Sequence, residues 1–374
     1  MPIQLPANSP TQVAAGKLRE QVHTAVAKGE LRAGDRVISG RKLAEQLGVS
    51  YVTARRAIKI LVAEGLLETR PRQGVFVCEG PKEDLATGPA TGRARGLFYL
   101  ESFTGGYERT ASAIGRKLNE AGYEIVWSTI DELTEPSLAG NLDKWDEDAY
   151  VVLGPVRTET VARIADLGRP LVLVDHFEAD DRADCVSLDN EGAAFDAASR
   201  FLDSGHERVA YVGGLIDKGH PYYDGVRGTE WPNSILRSMG VRRAYVTRGI
   251  PVNESLFVAV EYFKEARKLA AEWFSGPPEA RPTAAVCFGV PIAAGLLLEA
   301  RDHGVRIPED FAAAGMGRPQ EGWTFGPEVM SHYDIDWTAI GREAGSVCLE
   351  RLRDPDRPRK RVVMPLTRVV GRTG

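Results

Sequence analysis

From residue 96 onward the chain repeats one theme, a short apolar run followed by a longer amphipathic stretch. The strand-like runs are GLFYL, EIVWST, AYVVLG, PLVLVD, RVAYVGG, RAYVTR, AAVCFG and FAAAGM, with helical stretches such as 109–121, 190–204, 255–274 and 291–303 between them. Strands that alternate with helices build a parallel sheet covered by helices on both faces. About 280 residues are too many for one such sheet. The fold class is therefore α/β, with two doubly wound lobes, and a ligand belongs at the carboxyl ends of the strands.

The first 78 residues follow a different rule. Leu18, Val22, Ala25 and Val26 recur at helical spacing and Gly29 offers a stop, which predicts a helix near 11–28. Ser39 can cap a second helix, in which Leu43, Ala44 and Leu47 face one way and Gly48 supplies a left-handed terminal residue. Ser50 can cap a third, where Ala54, Ala57, Ile58 and Leu61 fall at i, i+3, i+4 and i+7 and make its buried stripe. At about 100° per residue, Arg55, Arg56 and Lys59 project roughly opposite that stripe, with Tyr51 and Val52 one turn earlier. LLETR and GVFVC then read as two strands around the turn RPRQG, which carries Arg70, Arg72 and Gln73. Three helices and a basic hairpin make a winged helix-turn-helix, whose third helix fits the major groove of DNA while the wing lies along the adjacent backbone or minor groove. A merely solvated basic face is the plainer reading of the three cations; the caps, the tight turn and the basic wing count against it.

Charge divides the chain in the same place. The formal net charge is −5, yet residues 1–80 carry 12 Lys+Arg against 7 Asp+Glu and the remainder carries 35 against 45, so +5 precedes −10. A polyanion is attracted to the first segment and repelled by the second. Between them EGPKEDLATGPATGRAR, residues 79–95, lacks apolar periodicity and reads as a linker that extends to at most about 55 to 60 Å. The predicted organisation is a DNA-binding domain at 1–78, this linker, and a two-lobed effector-binding and dimerisation domain at 96–374.

Other classes of function find little in the sequence. The hydrophobic share of 43% and charged share of 26% are those of a soluble globular protein. The N-terminus has no basic start followed by an apolar run, and no apolar stretch approaches the roughly 20 residues a bilayer needs, so the expected location is the cytoplasm. Cys78, Cys185, Cys287 and Cys348 stand far apart and read as reduced thiols rather than a zinc site or disulfides. No GxGxxG follows the first strand, and neither GxxxxGK[ST] nor GxSxG occurs. The acidic run DHFEADDRAD has no metal-ligand spacing and reads as solvated, and His220 reads as a loop residue. No metal or cofactor is implied. A doubly wound small-molecule enzyme with an accessory nucleic-acid module is the alternative, and for it the sequence supplies only Asp175, without a converging acid, base or nucleophile.

GELRAGDRV, SGRKLAEQLGVSYVTARRAI and EGLLETRPRQGVFV resemble the GntR family of bacterial regulators over nearly all of 11–78. By that resemblance Arg41, Ser50, Thr53, Arg55 and Gly74 stand where the family contacts DNA or shapes the contact, although VISGR replaces its usual Leu-Pro-Ser-Glu-Arg. RPLVLVDHF, VSLDNEGAAFDAASRFLDSGHERVAYVGG, RPTAAVCFGVPIAAGLLLEARDHGVRIPEDFAAAGMG and IGREAGSVCLERL resemble the effector core of LacI/GalR-type regulators, which is itself similar to periplasmic sugar-binding proteins. The combination resembles the arabinose-type repressors. It implies a homodimeric regulator of repressor type on a palindromic double-stranded operator, with a small effector, sugar-related by resemblance, in the C-terminal cleft. Asp175 and Arg227 match sugar-binding positions of the family, with a helix cap or salt bridge as the open alternative for Asp175. Where the family has Asn-Asp this chain has Phe288 and Gly289, and where the family has an aromatic and an Asp it has Met316 and Gly317. Phe103 and Tyr107 are candidates to stack on a ligand ring, as are Phe177, Tyr222 and Trp323.

Overall fold

The computed structural model describes residues 10–27, 29–37, 39–63, 65–70, 73–78, 92–98, 105–130, 142, 145–176, 181–215, 231–260, 262–319 and 330–374. The chain divides into two compact units: residues 1–186 with 337–362, and residues 187–336 with 363–374. The head and the first lobe thus share one unit, and the chain passes between the units three times.

The head begins with α1 (Pro10–Ala27), α2 (Gly40–Leu47) and α3 (Tyr51–Ala63), followed by the antiparallel hairpin β1 (Leu67–Arg70) and β2 (Gly74–Val77). Its core gathers Leu18 and Val22 of α1, Leu43 of α2, and Ala54, Ala57, Ile58 and Leu61 of α3 against Leu67 and Val77. Each of the larger side chains contributes about 1.5 to 3 kcal/mol by leaving water. Two details differ from the periodicity. Val26 is exposed, and the buried stripe of α1 runs instead through Ala14, Ala15, Leu18 and Val22. In α3, Ile60 and Val62 are also buried, so its apolar side is wider than the four predicted positions.

The first lobe contains β3 (Gly92–Phe98), α4 (Gly105–Glu120), β4 (Tyr123–Thr129), β5 (Ala149–Leu153), α5 (Thr158–Ala165), β6 (Leu171–Val174) and β7 (Asp184–Leu188). Strand β3 starts at Gly92, so residues 92–95, which read as linker, are sheet; the remainder of that segment lies outside the described residues. The second lobe contains α6 (Asn190–Asp203), β8 (Val209–Gly214), α7 (Pro232–Val246), β9 (Phe257–Val260), α8 (Phe263–Ser275), β10 (Ala284–Cys287), α9 (Val290–Asp302), β11 (Ala312–Met316) and β12 (His332–Asp334). Helix α10 (Trp337–Arg353) returns to the first unit, and β13 (Arg361–Met364) and β14 (Thr367–Val369) add one strand to each sheet.

Both sheets have the same winding. One runs β4-β3-β5-β6-β7-β13 and the other β9-β8-β10-β11-β12-β14. The first five strands of each are parallel and follow a 2-1-3-4-5 order, which reverses direction beside β3 and β8. In sheets wound this way, ligands bind outside the carboxyl ends of the strands, at such reversals. RAYVTR, which alternates like a strand, instead closes α7: Val241, Ala244 and Tyr245 are buried at i, i+3 and i+4 while Val246 is exposed. The stretch 255–274 is likewise a short turn and β9 before α8 begins.

The acidic run ends in a buried ion cluster rather than in solvent. Asp184 is fully buried and binds Arg351 (Nε–Oδ2 2.9 Å, Nη2–Oδ1 3.0 Å), Arg357 (3.0 and 3.1 Å) and the Lys360 amide (2.7 Å). Burial acts to raise its carboxyl pKa, but the Arg351 and Lys360 hydrogen bonds and the two guanidinium charges outweigh it and hold the group below its ordinary value.

Candidate nucleic-acid interface and ligand crevices

The third helix is set by its cap. Ser50 Oγ accepts from Thr53 N at 3.1 Å and lies 2.8 Å from Thr53 Oγ1, so both residues are engaged in fixing the first turn of α3. The turn before it depends on Gly48, whose φ of +64° admits the left-handed end of α2, while Ser39 caps that helix by accepting from Lys42 N at 3.4 Å. The result is an α3 whose N-terminal end stands open. Tyr51 and Val52 are 51% and 54% exposed, a high value for an aromatic and a branched apolar residue, and Arg55 and Arg41 are exposed beside them. Arg56 and Lys59 are half-buried, and Arg56 Nε is hidden from solvent, so the cationic face is narrower than the helical wheel predicts.

In the hairpin, Gly74 has φ +121°, a value open mainly to glycine, and a Cβ there would come within 3.1 Å of the Arg36 side chain. Gln73 is exposed at the tip, whereas Arg70 is drawn back onto Glu68 (2.7 Å) and over the Phe76 ring at 4.4 Å. Arg72 lies outside the described residues.

At the strand ends of the first lobe, Asp175 follows β6 directly. It is buried, adopts φ +52°, donates its amide to Val186 O at 2.8 Å and accepts from the Tyr107 hydroxyl at 2.6 Å. A left-handed non-glycine residue held by its neighbours is the form of local strain that recurs at functional positions. Tyr107 packs edge-on to Trp337 with ring centroids 5.2 Å apart and lies against Gly154, where a Cβ would come within 3.3 Å of its ring. Phe103 and Phe177 lie outside the described residues.

At the strand ends of the second lobe, Phe288 follows β10 and covers Gly214, leaving no room for a Cβ there, since the distance would be 2.4 Å. Met316 closes β11 and is buried in the apolar core with Tyr211 and Val286. Arg227, Tyr222 and Trp323 lie outside the described residues. The polar group that the sequence reading misses is Arg237 on α7. It is buried, donates from Nε to Asn190 Oδ1 at 2.8 Å and from Nη1 to the Phe288 carbonyl, and places its guanidinium 4.8 Å from the Phe288 ring centroid. Asn190, also buried, opens α6. A guanidinium in this setting offers fixed donors beside an apolar wall.

Among the described residues, the buried cysteines are not activated nucleophiles. Burial pushes the Cys185 thiol up to about 11 and that of Cys348 up to about 12, and raises Cys287 further. Among the described residues no group of three His, Cys, Asp or Glu side chains converges as a metal site, and no helix is long and apolar enough to cross a membrane.

The fold defines a class: a winged helix-turn-helix head joined to a two-lobed, periplasmic-binding-protein-like core. Comparison with known proteins gives the same two parts. Residues 14–77 match the family of bacterial regulatory proteins called gntR, and residues 198–373 match the periplasmic binding protein-like domain. Over 225 residues the chain is 27% identical to catabolite control protein A of Priestia megaterium, covering 58% of this chain and 64% of that protein. Over 316 residues it is 23% identical to the arabinose metabolism transcriptional repressor of Geobacillus stearothermophilus, covering 80% of each. A solved LacI-family regulatory protein from Chloroflexus aggregans superposes with a TM-score of 0.63 at 17% identity, over 75% of this chain and 98% of that one; this likeness bears on the fold alone.

Proposed function

We propose that this chain is a DNA-binding transcriptional repressor of the cytoplasm, controlled by a small ligand held at the strand ends of its core. The observation that carries the reading is the N-terminal end of α3, where a capped helix, buried along its other side, exposes Tyr51, Val52 and Arg55 beside Arg41. Such an end enters the major groove, where arginine reads guanine and apolar groups meet the thymine methyl. Arg41, Ser50 and Thr53 place or extend this contact; Arg56 and Lys59 flank it toward phosphate; Arg72, Gln73 and Gly74 belong to the wing contact. The charge division supports it, because residues 1–80 are net basic whereas the remainder of the chain is net acidic.

For the ligand, the residues expected from the sequence, Phe103, Tyr107, Asp175, Arg227, Phe288 and Met316, are the proposed contacts, with Arg237 added beside Phe288. A homodimer on a palindromic operator follows from the class, since paired heads read paired half-sites. The repressor names of the relatives favour regulation over the enzyme alternative. The test is retention of genomic DNA fragments on the full chain, followed by sequencing: a small set of related inverted sites is expected, and uniform recovery of all fragments contradicts the reading.

A further inference from the structure

Helix α4 holds the strand-end aspartate with one residue and the head with the next. Tyr107 bonds Asp175 Oδ2 at 2.6 Å. Glu108 Oε2 accepts from Thr69 Oγ1 of β1 at 2.8 Å, and one turn later Ser112 Oγ donates to the Val62 carbonyl in the last turn of α3 at 3.1 Å. Glu108 and Ser112 stand four residues apart and so share a face, with Tyr107 on the adjoining one. On its packed side α4 has no slack against α10. A Cβ on Gly106 would come 2.4 Å from Trp337, a Cβ on Gly341 would come 2.4 Å from the Thr110 carbonyl, and Thr110 Oγ1 donates to the Trp337 carbonyl at 3.0 Å. A helix seated this closely shifts as a body rather than bending residue by residue.

We infer that α4 is the transmission element between the ligand crevice and the head, acting through Tyr107–Asp175 on one face and Glu108–Thr69 with Ser112–Val62 on the other. A ligand that competes for Asp175 displaces Tyr107, and the same movement loosens the head. The docking contacts use the C-terminal end of α3 and strand β1, whereas Tyr51, Val52 and Arg55 stand at the other end. The docked head therefore presents its DNA-facing end, and docking is the binding-competent arrangement. The coupling follows from direct contact and does not require the segment between β2 and β3 to carry a signal. Its regulatory meaning rests on the proposed ligand-controlled DNA binding; the coupling itself does not.

Hydrogen exchange on the full chain tests it without DNA or ligand. Tyr107→Phe removes the hydroxyl that binds Asp175, and amide exchange across 60–70 is expected to quicken by about 5-fold or more, the lower bound of ordinary coupling between sites. Because coupling is reciprocal, Thr69→Val combined with Ser112→Ala is expected to quicken exchange of the Asp175 amide. Glu108→Ala, which removes the acceptor of the Thr69 hydroxyl, gives an independent reading of the same effect where either variant folds poorly. Unchanged exchange at 60–70 in Tyr107→Phe, with the Asp175 amide responding locally, overturns the inference. Operator fragments then separate the two ideas: fragment binding that survives while head exchange is uncoupled removes the inference alone, whereas coupled exchange in a chain that retains no fragment leaves the inference and removes the proposed function.

Discussion

Asp184→Asn removes one charge from a cluster in which five hydrogen bonds converge on a single fully buried carboxylate. Arg351 is itself only 1% exposed and holds its remaining donors on the Pro355, Arg357 and Pro358 carbonyls at 2.8, 2.5 and 3.0 Å. The substitution therefore strands a buried guanidinium charge, and the asparagine NH₂ points a donor at other donors. Breaking such a pair costs about 3 to 5 kcal/mol, well above the 0 to 1 of a surface pair. For a unit of roughly 200 residues this lowers the melting midpoint by roughly 6 to 20 °C. The pH dependence has a definite sign. The folded carboxyl lies below its ordinary value, so its stabilisation is fully present above the unfolded pKa near 4 and is lost as pH falls through the folded value. Calorimetry of the full chain between pH 3 and 7 reads both effects: the natural protein loses stability on acidification and the variant loses less. A midpoint within 2 °C of the natural protein at pH 7 would refute the cluster's structural role.

Three further perturbations have expected outcomes. Arg55→Ala is expected to weaken specific operator binding by about 1 to 3 kcal/mol with the melting midpoint unchanged, as read by fluorescence anisotropy and calorimetry on one preparation; unaltered binding removes α3 as the reading helix. Gly240→Ala is expected to destabilise the second unit by about 1 to 3 kcal/mol, because its Cβ would come 2.2 Å from the Glu191 carbonyl in the facing helix, which is backbone and cannot swing aside; an unshifted melting curve contradicts this packing. Ordinary free aldoses are expected to bind more weakly than millimolar by titration calorimetry, since Phe288 and Met316 offer no hydrogen bond where buried hydroxyls would each lose about 1 to 3 kcal/mol; micromolar binding shows that Arg237 and Asn190 compensate.

Much of the head was legible because its signals are local. Ser39, Gly48 and Ser50 act within three residues of themselves, and the Ala54–Leu61 stripe needs only the 3.6-residue period. The burial of Ile60 and Val62 had no such signal. RAYVTR misled because basic and apolar residues alternate there, and alternation is the strand's mark; only the packing of Val241, Ala244 and Tyr245 on one side shows a helix. Arg237 stayed hidden for a related reason. Within the sequence it is one arginine on a polar-looking helix, and its burial depends on Asn190 and Phe288, which lie 47 and 51 residues away. Asp184 likewise reads as one more acid in an acidic run until Arg351 and Arg357 arrive from the far end of the chain. Seven of the eight apolar runs are strands of the two lobes, but they did not show which lobe takes the returning segments at 337–362 and 363–374.

The proposed function places DNA reading at the exposed end of α3. Its most direct test is a titration of the full chain against the genomic fragment it retains best and against a scrambled fragment of equal length, at several salt concentrations. The retained fragment is expected to bind at least about 10³-fold more tightly at physiological salt, and both affinities are expected to fall steeply as salt rises, by about 10³ to 10⁵ between 50 and 200 mM if six to ten phosphates are contacted. Equal affinity for the two fragments, or binding indifferent to salt, would contradict it.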